Sequence, residues 1–232
     1  MKISLRKLAD PEKAKHLSRF FKTGKGEYGE GDKFLGITVP VMRAYARQYA
    51  DAPREALESL LDSAYHEERL LALTILTAQF ERGSEEERKS IFDFYLARTD
   101  AINNWDLVDL SAYKIVGAYL LDRPRKILYR LAKSKNLWER RIAIISTFTF
   151  IRSGECEDTL KFAEMFLSDR HDLTHKATGW MLREVGKRCG EKKLKQFLDK
   201  NAARMPRTAL RYAIERFSEA ERKRYLAIKR TS

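Results

Sequence analysis

Cysteine is scarce: Cys156 and Cys189 are the only two in 232 residues, far apart and in no metal-ligand spacing. A disulfide framework is therefore excluded, and a reducing interior is the expected compartment. No apolar run approaches the length that spans a bilayer. The N-terminal Met1-Lys2-Ile3-Ser4-Leu5-Arg6-Lys7 is too polar for the core of a signal peptide. Alternation of apolar and polar residues with a period of two is missing throughout, so strands are not expected. No Ser-His-Asp arrangement, Walker loop or zinc pattern stands out. Of the four histidines, His16, His66, His171 and His175, the last two are one helical turn apart, but no third ligand accompanies them and no metal site is expected.

What is abundant is positive charge. Lys and Arg number 46 against 33 Asp and Glu, giving a net charge of +13. An excess of that size favours a polyanion, nucleic acid before an anionic membrane surface. The hydrophobic fraction of 44% is enough to bury a full core.

Apolar residues recur at i, i+3, i+4 and i+7 in nearly every segment, so the chain reads as all-α. Asp10-Pro11 starts a helix that stops before Gly24. The stretch 24–32 is the only long irregular one, and its Gly24, Gly26 and Gly29 spell G-x-G-x-x-G. A dinucleotide fingerprint needs a strand before it and a helix directly after. Here a helix precedes and the next begins only near Pro40, so the stretch reads as a surface loop. Beyond it, helices come in pairs. Second members begin near His66, Asn103, Asn136, His171 and Pro206, at intervals of about 33–37 residues. The expected architecture is a right-handed solenoid of antiparallel helix pairs with a concave basic face, in one domain spanning 1–232. N-terminal helices fill 1–50, stacked pairs 53–218, and a C-terminal capping helix lies within 219–232.

Chemistry-bearing residues fall on the second helices. Trp105, Trp138 and Trp180 all lie there. Lys176, Trp180, Arg183 and Lys187 share one helical face, Arg140 and Arg141 follow Trp138, and Arg207 and Arg211 are one turn apart. Basic side chains interleaved with aromatics suit a phosphodiester backbone. Asp109, one turn from Trp105, is an acid on a wall otherwise expected to be cationic. It reads either as a structural ion-pair partner or as a carboxylate that stabilises developing positive charge, as in cleavage of a glycosidic bond.

The stretches Phe34-Leu-Gly-Ile-Thr-Val-Pro40 with Arg43, Trp105-Asp-Leu-Val-Asp109, Trp138-Glu-Arg-Arg-Ile-Ala143 and Lys176-Ala-Thr-Gly-Trp-Met-Leu-Arg-Glu184 resemble the AlkD-like family of DNA alkylation repair glycosylases, built from HEAT-like repeats. The resemblance implies a monomeric enzyme that binds double-stranded DNA containing alkylated bases, in the cytoplasm with the nucleoid, without metal or cofactor. It would hydrolyse the N-glycosidic bond of cationic N3- or N7-alkylpurines. It assigns Trp105 and Trp180 to the deoxyribose and Asp109 to catalysis. Arg141, Arg183, Lys176, Lys187, Arg207, Arg211, Arg43 and Phe20 are assigned to DNA contact. Phe20 stands where catalytic members carry a tyrosine. A non-catalytic binder of DNA structure on the same scaffold, and a helical scaffold for a protein partner, remain as alternatives.

Overall fold

The computed structural model describes residues 3–229. Met1 and Lys2 of the N-terminal segment, and 230–232 of the expected capping segment, lie outside them. Capping chemistry fixes the helix starts. The Asp10 carboxylate accepts the Lys13 N–H at 3.1 Å and Pro11 sits in the first turn, opening α1 (Pro11–Phe20). Then come α2 (Val39–Gln48), α3 (Arg54–Leu61) behind Pro53, and α4 (His66–Arg82), which stops at Gly83. Ser84 and Glu87 form a reciprocal capping box on α5 (Glu85–Ala97). Asn104 Oδ1 accepts the Trp105 N–H at the start of α6 (Trp105–Ala112), which runs on into a π turn, Tyr113–Gly117. After α7 (Lys126–Ala132), Asn136 Oδ1 accepts the Trp138 N–H to open α8 (Leu137–Arg152). α9 (Glu157–Met165) precedes α10 (Asp172–Arg188), which His171 caps through its ring nitrogen. α11 (Glu191–Asn201), α12 (Arg207–Ala213) and α13 (Glu219–Ala227) follow.

Among the described residues the regular structure is thus helical, with thirteen α-helices and no strand; a single isolated bridge joins Lys33 and Tyr65. The paired rhythm is present. Second members start at His66, Trp105, Leu137, Asp172 and Arg207, spacings of 39, 32, 35 and 35 residues.

Two compact units divide the chain, Met1–Ile115 and Val116–Ser232. In the first, α4 is the hub, packed by α2, α3, α5 and α6. Its Leu71, Ala72, Leu73, Ile75 and Leu76 are each fully buried, as a helix covered on all sides requires. Less expected is its first turn, where His66, Glu67, Glu68 and Arg69 are also buried. Charged groups there must be paired. Glu67 is satisfied by backbone: the N–H groups of Leu35, Gly36 and Ile37 donate to its carboxylate at 2.9, 2.8 and 3.3 Å. The loop is held to α1 as well, through the Asp10 N–H on the Leu35 carbonyl at 2.8 Å. In the second unit α10 plays the hub, with α8, α9, α11 and α12 around it and α7 against α8 and α9. Leu182, Leu194, Leu198, Leu210 and Tyr225 join α10 to α13 in one apolar cluster.

Gly36 has φ +83°, and a Cβ on it would lie 2.2 Å from the Asp10 carbonyl oxygen; Gly26, at φ +79°, faces open space. Both substitutions incur the left-handed cost of about 1–2 kcal/mol, but only Gly36→Ala adds a backbone clash. Denaturant unfolding should show Gly36→Ala destabilised by about 2–5 kcal/mol and Gly26→Ala by about 1 kcal/mol. Equal losses would refute the close approach.

Candidate nucleic-acid interface

In the first unit α6 carries Trp105 and Asp109 one turn apart, both half-buried. Trp105 is fixed at its backbone by the Asn104 cap and at its ring by a stack. Phe21 lies flat against the indole, with centroids 5.2 Å apart and planes 16° apart. Phe21 in turn stacks on Phe34 at 5.0 Å and touches the His66 ring at 4.9 Å. Phe20 meets Trp105 edge-on at 6.1 Å and is 58% exposed, the most exposed large apolar side chain among the described residues. The expected DNA-side position of Phe20 thus corresponds to an exposed aromatic beside the tryptophan. Arg43, on α2, is exposed.

Behind this aromatic layer lies a charged cluster. His66 Nε2 is 2.7 Å from Asp106 Oδ2, and Nδ1 is 3.5 Å from Asp32 Oδ2. Asp32 Oδ1 accepts from Arg69 at 2.7 Å and from Asn103 at 3.2 Å, and Asn104 donates to Oδ2 at 3.3 Å. Burial alone would drive the imidazole neutral, but the hydrogen bond and charge of Asp106, reinforced by Asp32, outweigh it and raise its pKa to about 9. His66 is therefore a buried cation. Burial also pushes up Asp32, yet His66 and Arg69 hold that carboxyl below its ordinary value. Asp32 ends the glycine-rich loop. That loop is folded on itself, with the Gly24 and Gly26 N–H groups donating to Glu27 and Glu30 at 2.8 Å each.

None of His66, Asp106, Asp32 or Phe21 was singled out from the sequence. They are separated by up to 85 residues, and no spacing relates them; the one signal is the polar run His66-Glu-Glu-Arg69 that opens a helix otherwise rich in apolar residues. The buried Tyr95 hydroxyl bonds the Ser111 hydroxyl at 2.9 Å and lies within reach of the Asp109 charge. Burial lifts the phenol far above its usual range, and the negative charge of Asp109 adds to that rise.

In the second unit α10 carries Lys176, Trp180, Arg183 and Lys187, and two of these three cations are engaged in ion pairs. Lys176 pairs with Asp172 at 2.8 Å, Arg183 pairs with Glu215, and Lys187 is exposed. Trp180 is half-buried, 6.0 Å from Phe148 with planes at 41°. Gly179 lets α12 lie directly on α10, since a Cβ there would be 2.4 Å from the Ala209 carbonyl oxygen. Arg211 on α12 is exposed. Two other arginines depart from expectation. Arg141, expected to face DNA, is 4% exposed and donates to the Leu173 carbonyl at 2.6 Å. Arg207 donates to the Leu226 carbonyl at 2.6 Å. The latter is a C-terminal helix carbonyl without an intrahelical partner, which a guanidinium satisfies well. Arg140 likewise binds Asp169 and the Ser134 and Lys135 carbonyls, and Trp138 is core. His171 and His175 spend ring nitrogens on the Leu173 N–H and the Asp169 carbonyl.

The chain belongs to the DNA alkylation repair enzyme family, whose model matches residues 1–217, as the resemblance of its motifs implied. Membership supports a role in DNA repair, with DNA as the partner. Among solved structures, a chain described as a predicted DNA alkylation repair enzyme from Enterococcus faecalis is similar in fold. Its TM-score is 0.71 at 19% identity, over 91% of this chain and 97% of that one. No curated protein matches the sequence. Among the described residues no helix is long and apolar enough to cross a membrane.

A raised pKa gives the direction of the pH dependence. The folded state holds the His66 proton more tightly than the unfolded chain does. That stabilisation is complete below pH 6.5 and is lost as the pH rises through about 9. It amounts to on the order of 3 kcal/mol. Unfolding measured across this window should show wild type weakening with rising pH and His66→Gln nearly flat. Parallel curves would remove the buried cation from the account.

Proposed function

We propose that the protein is a DNA glycosylase that hydrolyses the N-glycosidic bond of cationic N3- or N7-alkylpurines in duplex DNA. The observation that carries this reading is the indole of Trp105, held flat against Phe21 with the Asp109 carboxylate one turn along the same helix. A rigid aromatic face suits a deoxyribose, and the carboxylate beside it suits the positive charge that grows on that sugar. A cationic base is already a good leaving group, so the protein has to supply only charge stabilisation and an oriented water. Asp109 has both tasks. Trp180 is assigned to sugar contact on the second unit.

Lys187, Arg211 and Arg43 serve as phosphate ligands because they are exposed. Lys176 and Arg183 join them by exchanging carboxylate partners for phosphate. Their present partners Asp172 and Glu215 are more than half exposed, and such pairs are worth about 0–1 kcal/mol. Arg141 and Arg207 act indirectly, as donors that position α10 and α13.

Phe20 favours one other reading, a DNA binder without base release. Its exposed ring has no hydroxyl to engage a phosphate, and an apolar wedge next to a tryptophan serves stacking as well as chemistry.

Chromatography of bases freed from methylated duplex DNA separates the two. Wild type should release an alkylpurine, and Asp109→Asn should be slower by about 10²–10³ while still binding. Equal rates would sink the role of Asp109; binding with no release by wild type would establish the second reading. Duplex binding should weaken in Lys187→Glu and Arg211→Glu, with the slope of log K against log salt flattening by about 0.9 per lost phosphate contact. Unchanged slopes in both variants would take these two cations out of the interface.

A further inference from the structure

The segment that carries Trp105 and Asp109 continues past α6. Tyr113 keeps helical angles, φ −70° and ψ −28°, and opens the π turn Tyr113–Gly117. It stands eight residues after Trp105 and four after Asp109. It therefore extends their stripe by one turn, about 6 Å further along the axis. Burial agrees with that geometry. Leu107, Val108, Ser111 and Ala112 are fully buried, and Ile115 and Val116 continue the buried side. Trp105, Asp109 and Tyr113 are half-buried, and Lys114 is exposed. Lys114 Nζ sits over the Tyr113 ring, 5.9 Å from its centroid, and makes no ion pair among the described residues. The local backbone is unusual as well. π turns are rare and occur frequently at functional sites.

Charge gives this pair a task. Between Trp105 and Gly117 the sequence has two acids, Asp106 and Asp109, and one cation, Lys114. Asp106 is engaged by His66 at 2.7 Å. Asp109 is needed as a carboxylate beside the sugar, and its charge repels the phosphates that flank that sugar. A duplex laid on this face needs a donor for one of those phosphates. Of the aromatic residues already assigned to DNA, Phe20 has no polar side-chain atom, and Trp105 and Trp180 have only an indole N–H. A phenol beside an ammonium fills the gap, since both groups donate hydrogen bonds to an anionic oxygen.

Resting on the reading that places a deoxyribose on Trp105, we propose that Tyr113 and Lys114 are a phosphate clamp. They hold the DNA phosphate next to that sugar, the hydroxyl and the ammonium donating to the same group. The clamp sets the register of the strand, so that the sugar meets the Asp109 carboxylate. It takes no part in breaking the glycosidic bond.

The test follows binding of an unmodified duplex by fluorescence anisotropy over a range of salt concentrations, next to base release from methylated duplex. Lys114→Gln should flatten the slope of log K against log salt by about 0.9, the value of one lost phosphate contact. Tyr113→Phe keeps the ring and removes only the hydroxyl. It should bind about 3–10-fold more weakly at unchanged slope, because a neutral donor displaces no counter-ion. A purely structural tyrosine would alter unfolding and leave binding by the folded protein as it was. The double variant should lose less than the product of the two single losses, because one phosphate is shared. Unchanged affinity in Tyr113→Phe, or an unchanged slope in Lys114→Gln, would overturn the clamp. Strictly multiplicative losses would overturn the sharing of one phosphate. The expected binding changes in a protein that releases no base would keep the clamp and remove the glycosylase reading, so the two fail separately.

Discussion

His66 stands 2.7 Å from one Asp106 oxygen and 3.5 Å from one of Asp32, almost fully withdrawn from water. Removing a cation from solvent is costly, and only the two carboxylates make it tolerable. Each partner ties down a different part of the first unit. Asp106 lies in the first turn of α6, beside Trp105. Asp32 ends the glycine-rich loop and gathers Arg69, Asn103 and Asn104. The imidazolium ring also lies against Phe34 at 4.7 Å and Phe21 at 4.9 Å, so charge is held on an aromatic face as well as between anions. Through Phe21 the same assembly reaches the indole. If one member were removed, the remaining groups would be left buried and unpaired, which costs more than the lost contact itself.

The second unit solves a different problem, the placement of many cations without a large opposing charge. Some arginines are internal donors: Arg141 and Arg207 close backbone carbonyls, and Arg140 holds Asp169. Others are left on the surface or in exposed ion pairs of little strength. A net charge of +13 therefore overstates the charge available to a polyanion and understates the share that builds the fold. Guanidinium suits both uses, because its planar fork meets a carbonyl, a carboxylate or a phosphate equally well.

The helices were legible because their punctuation is local. Asp10-Pro11, the Ser84–Glu87 box, Asn136 and Pro206 each act within one turn, and the start sites follow from them. The pairing rhythm was legible for the same reason. Side-chain direction was less so. Arg141 and Arg183 look alike on a helical wheel, yet one is internal and the other reaches the surface; packing of α8 on α10, which periodicity does not reveal, decides between them. The His66 cluster was illegible because its members come from a loop, the start of α4 and the start of α6, and long-range polar convergence leaves no periodic trace.

These features combine into one account. A family of DNA alkylation repair enzymes supplies the helical frame, and on it a buried charge network and a stack of rings hold one tryptophan next to one carboxylate. The central claim is that the His66 cation organises the setting of Trp105. Fluorine NMR of the chain labelled with 5-fluorotryptophan tests it directly, with Trp105→Phe used to assign the resonance. The account predicts that the Trp105 signal titrates with a midpoint near 9 while those of Trp138 and Trp180 do not. A Trp105 signal that is indifferent to pH, or that moves near the ordinary histidine value of 6.5, would contradict it.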